Sequence, residues 1–124
     1  MQTLKAMIRA ILTCLIFIIS TISAYTAAIA DQQLQTLTGE VVDIMCYVDH
    51  GAKGAKHQEC AQMCIKSGGP VGLLVDDKLY LVIGDHKPMN DILAPLAAQI
   101  ITLKGKVVER NGLQIIENAE VVKE

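Results

Sequence analysis

The stretch that decides the fold is IITLKGKVVERNGLQIIENAEVV, residues 100–122. Arg110-Asn111-Gly112 separates two apolar, β-rich runs, Ile100–Glu109 and Leu113–Val122. Asn-Gly between two such runs is the strongest short-range signal for a β-hairpin, because both residues tolerate the positive φ angles of a type I′ turn. The C-terminal part of the chain is therefore predicted to be a hairpin.

Three further strands are predicted upstream of this hairpin. Leu37–Val48 is apolar with interspersed polar residues and is predicted to be the first strand. Val71–Val75 and Leu79–Ile83 flank the acidic turn Asp76-Asp77-Lys78, which predicts a second hairpin with a less defined register. The chain thus has five predicted strands.

One helix is predicted between the first two strands. It covers Ala55–Lys66 and is followed by Gly68-Gly69-Pro70. Glycine and then proline are typical of the end of a helix, since glycine adopts the left-handed conformation and proline cannot continue the helix.

A second short helix is predicted before the last hairpin. Asn90 or Asp91 can cap its first turn, and it extends to about Ala98. Pro95 lies near its middle and should kink it or limit it to about two turns.

The order of these elements predicts the fold class. A strand, a helix-bearing insertion, a hairpin, a short helix and another hairpin follow one another as in the OB-fold, a five-stranded Greek-key barrel. The chain is therefore predicted to be mainly β, with one or two short helices and a Cys/His-bearing insertion between strands 1 and 2. Residues 31–124 contain no repeat, low-complexity tract or proline-rich linker, which indicates one domain.

The first thirty residues have a different composition from the rest. Lys5 and Arg9 precede an apolar run, Ile11–Ile19, and the segment ends in Ala28-Ile29-Ala30. This order is typical of a secretory signal peptide, with cleavage predicted after Ala30. The mature chain would then lie in the periplasm or be secreted. An uncleaved membrane anchor is the alternative, because residues 11–30 carry no charge and approach the length of a membrane span.

Cleavage changes the charge and the cysteine count. It leaves 94 of the 124 residues, and the loss of Lys5 and Arg9 shifts the formal net charge from −2 to −4. Cys14 is lost as well, so three cysteines remain of four. Three is an odd number, and a framework made only of disulfides would leave one thiol unpaired.

Five possible soft ligands fall within nineteen residues in the pattern C-x3-H-x6-H-x2-C-x3-C: Cys46, His50, His57, Cys60 and Cys64. Thiolate and imidazole are the ligands that zinc and copper prefer, and four of them can complete a tetrahedral shell. On a regular helix, residues i, i+3 and i+7 share one face, so the side chains of His57, Cys60 and Cys64 should point the same way. Cys46 and His50 are expected at the end of strand 1 and in the loop after it.

The cysteines are also compatible with roles that need no metal. Cys46 could form a disulfide with Cys60 or Cys64, closing a loop of about 15 residues that contributes about 3 kcal/mol to stability. Cys60 and Cys64 are poorly placed to pair with each other, because neighbours on a helix face lie too far apart. Both could also pack in the core as small apolar residues, or act as a thiol redox pair. Met45 and Met63 adjoin the cluster, and thioethers favour Cu(I).

Several function classes are disfavoured. Proteins that bind single-stranded nucleic acid stack its bases on aromatic side chains in a basic groove. The mature chain is acidic and has only Tyr47 and Tyr80 as aromatic residues, so no nucleic-acid partner is expected. Neither a phosphate-binding glycine loop nor the Cys-x-x-Cys-His of covalent haem is present, so no nucleotide and no haem are expected. Carboxylates such as that of Asp43 are expected to be solvated, and no enzymatic activity is predicted.

A resemblance to known proteins extends over most of the mature chain. The matching residues are Thr38-Gly39-Glu40-Val41-Val42-Asp43, Cys46-Tyr47, His50-Gly51, Gly54, His57, Cys60-Ala61, Cys64, Pro70-Val71-Gly72-Leu73-Leu74 and Gly105-Lys106-Val107-Val108-Glu109-Arg110. The pattern resembles a family of small, uncharacterised, exported bacterial OB-fold proteins. The resemblance implies the fold and implies no activity.

The sequence as a whole favours a small periplasmic protein that binds copper or zinc for carriage, sequestration or structural stabilisation. The alternative is a disulfide-stapled OB-fold interaction module that binds a protein or a saccharide without metal. Metal analysis and thiol counting distinguish the two.

Overall fold

A computed structural model of the chain describes residues 34–123, together with Met1 and Leu4 as isolated positions. The cleavage site predicted after Ala30, and the rest of the predicted leader, lie outside the described residues. Among the described helices, none combines the length and the apolar character needed to cross a membrane.

Five strands form, as predicted: β1 (Leu34–Asp43), β2 (Val71–Val75), β3 (Lys78–Val82), β4 (Ile100–Arg110) and β5 (Leu113–Val121). The bounds of β2 to β5 agree with the predicted bounds to within one residue. Asn111 and Gly112 have φ angles of 52° and 84°, which is the backbone of the type I′ turn expected between β4 and β5.

The strands close into a barrel in the order β1-β2-β3-β5-β4. β1 pairs with both β2 and β4 in antiparallel fashion, and β3 pairs with β5 in parallel through Leu81 and Val82. This arrangement confirms the predicted five-stranded, OB-fold-like Greek-key barrel.

Three short helices accompany the described strands. Two of them, α1 (Ile44–His50) and α2 (Gln58–Lys66), lie between β1 and β2, and a 3-10 turn, Ala55–His57, precedes α2. The third, α3 (Asn90–Leu93), continues as a 3-10 turn over Ala94–Leu96. The Cys/His-bearing insertion is therefore confirmed, and it contains one helix more than predicted.

The prediction that strand 1 continues to Val48 is wrong, because the chain turns into α1 after Asp43. The Asp43 carboxylate accepts a hydrogen bond from the Cys46 amide at 2.9 Å and so caps the new helix. Gly51 ends it with a φ of 67° and donates its N–H to the Tyr47 carbonyl at 2.8 Å. Cys46 and His50 consequently lie on a helix, and the placement predicted for them is corrected.

The cap predicted for α3 is also wrong. Met89 occupies the cap position, and no side chain caps this helix. The Asn90 side chain instead donates hydrogen bonds to the carbonyls of Ile65 and Gly69, at 2.6 and 2.7 Å. These bonds join α3 to the C-terminal end of α2.

The helices share one hydrophobic core with the barrel. Ala61 and Ile65 of α2 and Leu93 of α3 are buried together with inward-facing strand residues. The fully buried strand side chains are those of Val41, Val42, Val71, Leu73, Val82, Leu103 and Ile116. Burial of Ile65 therefore positions the cysteine-bearing helix against the barrel.

Candidate metal centre

Three thiols converge where α1 meets α2. The Sγ atoms of Cys46, Cys60 and Cys64 all lie within 4.8 Å of one another, and all three cysteines are free. Three sulfurs bound to one ion at about 2.3 Å would lie about 4 Å apart, so movements of about 1 Å would allow the three to share an ion. These residues come from two helices, and it is the turn at Asp43 that brings Cys46 to α2.

Burial separates the cysteines from ordinary core residues. Cys60 is exposed, whereas Cys46 and Cys64 are partly buried. Ala61 and Ile65 are the residues of α2 that enter the core. Apolar packing therefore does not account for Cys60, which lies at the solvent side of the cluster.

The two predicted histidine ligands lie at a cavity that is also lined by two of the three cysteines. His50 and His57 are exposed and line a cavity of about 200 Å³ together with Cys46 and Cys60. Among residues 34–123, the group of ligand atoms within 4.8 Å of one another consists of the three sulfurs, and neither an imidazole nor a carboxylate oxygen belongs to it. The Nε2 atom of His50 lies 3.0 Å from Oδ2 of Asp49.

Local backbone geometry explains the position of His57. The predicted shared face assumes a regular helix through His57, Cys60 and Cys64. His57 instead ends the 3-10 turn with φ −108° and ψ 5°, so the helical spacing holds only for Cys60 and Cys64. The imidazole reaches the rim of the cavity from outside α2.

The loop between the two helices is attached to the barrel. The Glu40 carboxylate of β1 accepts a hydrogen bond from the Gly54 amide. Gly54 precedes the 3-10 turn that leads into α2, and β1 leads directly into α1. The bond therefore fixes the start of α2, which carries Cys60 and Cys64, relative to β1 and hence to α1, which carries Cys46. The separation of Cys46 from Cys60 is thus tied to the barrel.

Asp43 is a residue of the site that the sequence analysis did not identify. A solvated side chain is predicted for it, but Asp43 is only 2% exposed and lines the cavity with Cys46 and Cys60. Oδ2 accepts the Cys46 amide, whereas Oδ1 is buried without a hydrogen-bond partner among the described residues. The sequence does contain a signal for this position. Asp43 and, eight residues later, Gly51 are residue types that typically begin and end a short helix.

The carboxylate also controls protonation of the thiols. A hydrogen bond with the Asp43 side chain, followed by desolvation and the neighbouring negative charges, raises the pKa of Cys46 to about 12. Desolvation and the charge of Asp43 raise the pKa of Cys64. Cys46 and Cys64 are therefore thiols at neutral pH in the metal-free site, and a metal ion must displace their protons to bind.

Alkylation of metal-free protein by iodoacetamide at pH 8 should be much slower at Cys46 in the folded chain than in the urea-unfolded chain. The thiolate is the reacting form, and a pKa of about 12 in place of 9.0 lowers its fraction about 1000-fold. Peptide mapping by mass spectrometry after timed quenching measures the rate at Cys46 alone. Asp43→Asn should accelerate the folded-state reaction, and equal rates in folded and unfolded protein would contradict the prediction.

Comparison with known proteins, by family model, by sequence and by solved structure, finds no match to this chain. A function is therefore inferred from the geometry and chemistry of the site.

Proposed function

We propose that this chain is an exported, periplasmic protein that binds one soft or borderline transition-metal ion, copper or zinc, through Cys46, Cys60 and Cys64. Its role is carriage, sequestration or structural stabilisation of the metal, without catalytic turnover. His50 and His57 are candidate additional ligands from the rim of the cavity. Export rests on the leader-like residues 1–30 and agrees with the resemblance to small exported OB-fold proteins.

The observation that carries the proposal is the approach of three sulfurs to within 4.8 Å of one another. Thiolates in such a group bind zinc, Cu(I) and related ions strongly, and a preformed group loses less conformational entropy on binding. Cys46 comes from α1 and the other two thiols from α2, so a bound ion would join the two helices of the insertion.

Metal analysis of untagged protein, exported with its own leader and purified anaerobically, tests the proposal. We expect about one copper or zinc ion per chain, and Cys46, Cys60 and Cys64 should become alkylated under denaturing conditions only after a chelator is added. Peptide mapping reports the three cysteines individually, so that Cys14 does not enter the count. The same protein refolded in the presence of Zn²⁺ or Cu(I) should regain the same stoichiometry.

The proximity of the sulfurs also supports a second candidate, the interaction module stapled by a disulfide from Cys46 to Cys60 or Cys64. That protein would contain no stoichiometric metal, and denaturation without reductant would leave one of the three mapped cysteines reactive. A stoichiometric disulfide without bound metal would therefore overturn the metal proposal. A thiol redox protein would instead change its thiol count reversibly at a defined potential.

A further inference from the structure

We propose that Asp43 supplies a fourth ligand through Oδ1 and that the site therefore selects a divalent ion of the zinc type over Cu(I). This inference rests on the proposed metal-binding function and names the class of ion. On binding, the three thiols release their protons to solvent, and the ion forms bonds to three sulfurs and one carboxylate oxygen.

The Asp43 carboxylate is held in place before any ion arrives. Oδ2 is fixed by the Cys46 amide at 2.9 Å, which leaves Oδ1 free to bind. Gly69 lies so close that a Cβ atom there would be 3.0 Å from Oδ1 and 2.8 Å from the Cys64 carbonyl oxygen. The carboxylate is thus confined between the entry to β2 and the end of α2, and coordination through Oδ1 leaves the helix cap intact.

The charge of the site favours a divalent ion. A buried carboxylate with an unpaired oxygen is costly unless a cation or hydrogen-bond donor satisfies it. The ion pairs found among residues 34–123 join His50 to Asp49 and Lys106 to Glu117, so none involves Asp43. Three thiolates and this carboxylate together carry four negative charges, and a divalent ion offsets twice as much of that charge as Cu(I).

The kind of donor atom favours the same ion. Zinc accepts carboxylate oxygen as well as thiolate, whereas Cu(I) prefers thiolate and thioether sulfur. The nearby thioethers of Met45 and Met63 are 63% and 66% exposed, and neither residue lines the cavity. A set of three sulfurs and one oxygen therefore suits Zn²⁺ better than Cu(I).

Like the two imidazoles, the Asp43 carboxylate lies outside the group of three sulfurs within 4.8 Å, but it is held more firmly than they are. His50 and His57 are exposed, and the His50 imidazole already lies beside the Asp49 carboxylate at 3.0 Å. Coordination by either imidazole would require an exposed side chain to be immobilised. The Asp43 carboxylate is already buried and hydrogen-bonded to the Cys46 amide, and coordination gives its unpaired oxygen a partner.

The test compares Asp43→Asn with wild-type protein in anaerobic competition titrations against chromophoric chelators, with Zn²⁺ and Cu(I) in turn. Asparagine caps helices as well as aspartate does and has nearly the same shape, so the variant removes the charge and preserves the cap. We expect Zn²⁺ affinity to fall by about 10- to 100-fold, with a change of less than about threefold for Cu(I). The matched control Asp85→Asn removes an exposed carboxylate that does not line the cavity, and it should bind Zn²⁺ within about threefold of wild type.

X-ray absorption of Zn²⁺-loaded wild-type protein gives an answer that does not depend on folding of the variant. We expect three sulfur neighbours at about 2.3 Å and one oxygen at about 2.0 to 2.2 Å, without imidazole scattering. Imidazole in the shell, an unchanged Zn²⁺ affinity in Asp43→Asn, or an equal loss for both ions would overturn this inference while leaving the metal-binding function in place. Wild-type protein that binds neither ion would overturn both.

Discussion

Cys64→Ser is expected to lower the affinity for Zn²⁺ or Cu(I) by at least about 100-fold, because a neutral hydroxyl replaces one of three thiolates. The sulfur of Cys64 lies within 4.8 Å of the sulfurs of both Cys46 and Cys60. Its partial burial also limits replacement of the lost ligand by an exposed side chain. Anaerobic competition titration against a chromophoric chelator measures the loss.

Met63→Leu is the matched control for this variant. Met63 precedes Cys64 on α2, also carries sulfur and is 66% exposed, so its replacement should leave the affinity unchanged. Near-identical circular dichroism of the metal-free proteins would show that Cys64→Ser still folds. If folded Cys64→Ser keeps an affinity within about tenfold of wild type, the three-thiolate site is contradicted.

The barrel was predictable because its signals are local. The Asn111-Gly112 turn specifies a hairpin through its own backbone preferences, and Gly68-Gly69-Pro70 ends α2 as expected. The element order then selects the OB-fold-like topology without any knowledge of tertiary contacts. Four of the five strand positions follow from such signals.

The first helix was missed because two local signals compete in the same residues. Ile44, Tyr47 and Val48 favour a strand, whereas Asp43 and Gly51 favour a short helix between them. The Asp43 cap and the pairing of Asp43 with Val71 decide the outcome, since β1 has reached the start of β2 and has no further partner there. That decision depends on where β2 begins, which a window of residues around Cys46 does not contain.

The candidate site was predictable in its sulfur ligands and not in its carboxylate. The spacing of Cys60 and Cys64 predicts one helix face, and the short distance from Cys46 along the chain makes convergence reasonable. Burial of Asp43 is a tertiary property, created when α2 and the entry to β2 close over it. An aspartate at the end of a strand is usually solvated, so the sequence alone assigned it no role.

Ile65→Ala should lower the free energy of unfolding of the metal-free protein by about 2 to 5 kcal/mol, the range for removing most of a buried aliphatic side chain. Ile65 is fully buried and belongs to the core shared by α2, α3 and the barrel. It lies next to Cys64, so the same loss of packing loosens the attachment of the cysteine-bearing helix. Urea denaturation under reducing conditions, with chelator present, gives the difference.

A bound ion should recover much of this loss, because it joins α1 to α2 at the position where Ile65 no longer holds α2 to the core. A ligand that binds only the folded chain contributes about 4 kcal/mol when its free concentration is about 1000 times its Kd. Ile92→Ala is the control, since Ile92 is 56% exposed on α3 and its removal should change stability by no more than about 0.5 kcal/mol. If Zn²⁺ stabilises neither wild-type protein nor Ile65→Ala, the ion does not join the helices of the folded chain. If Ile65→Ala lowers the free energy of unfolding of the metal-free protein by less than about 1 kcal/mol, α2 is held to the barrel by other contacts.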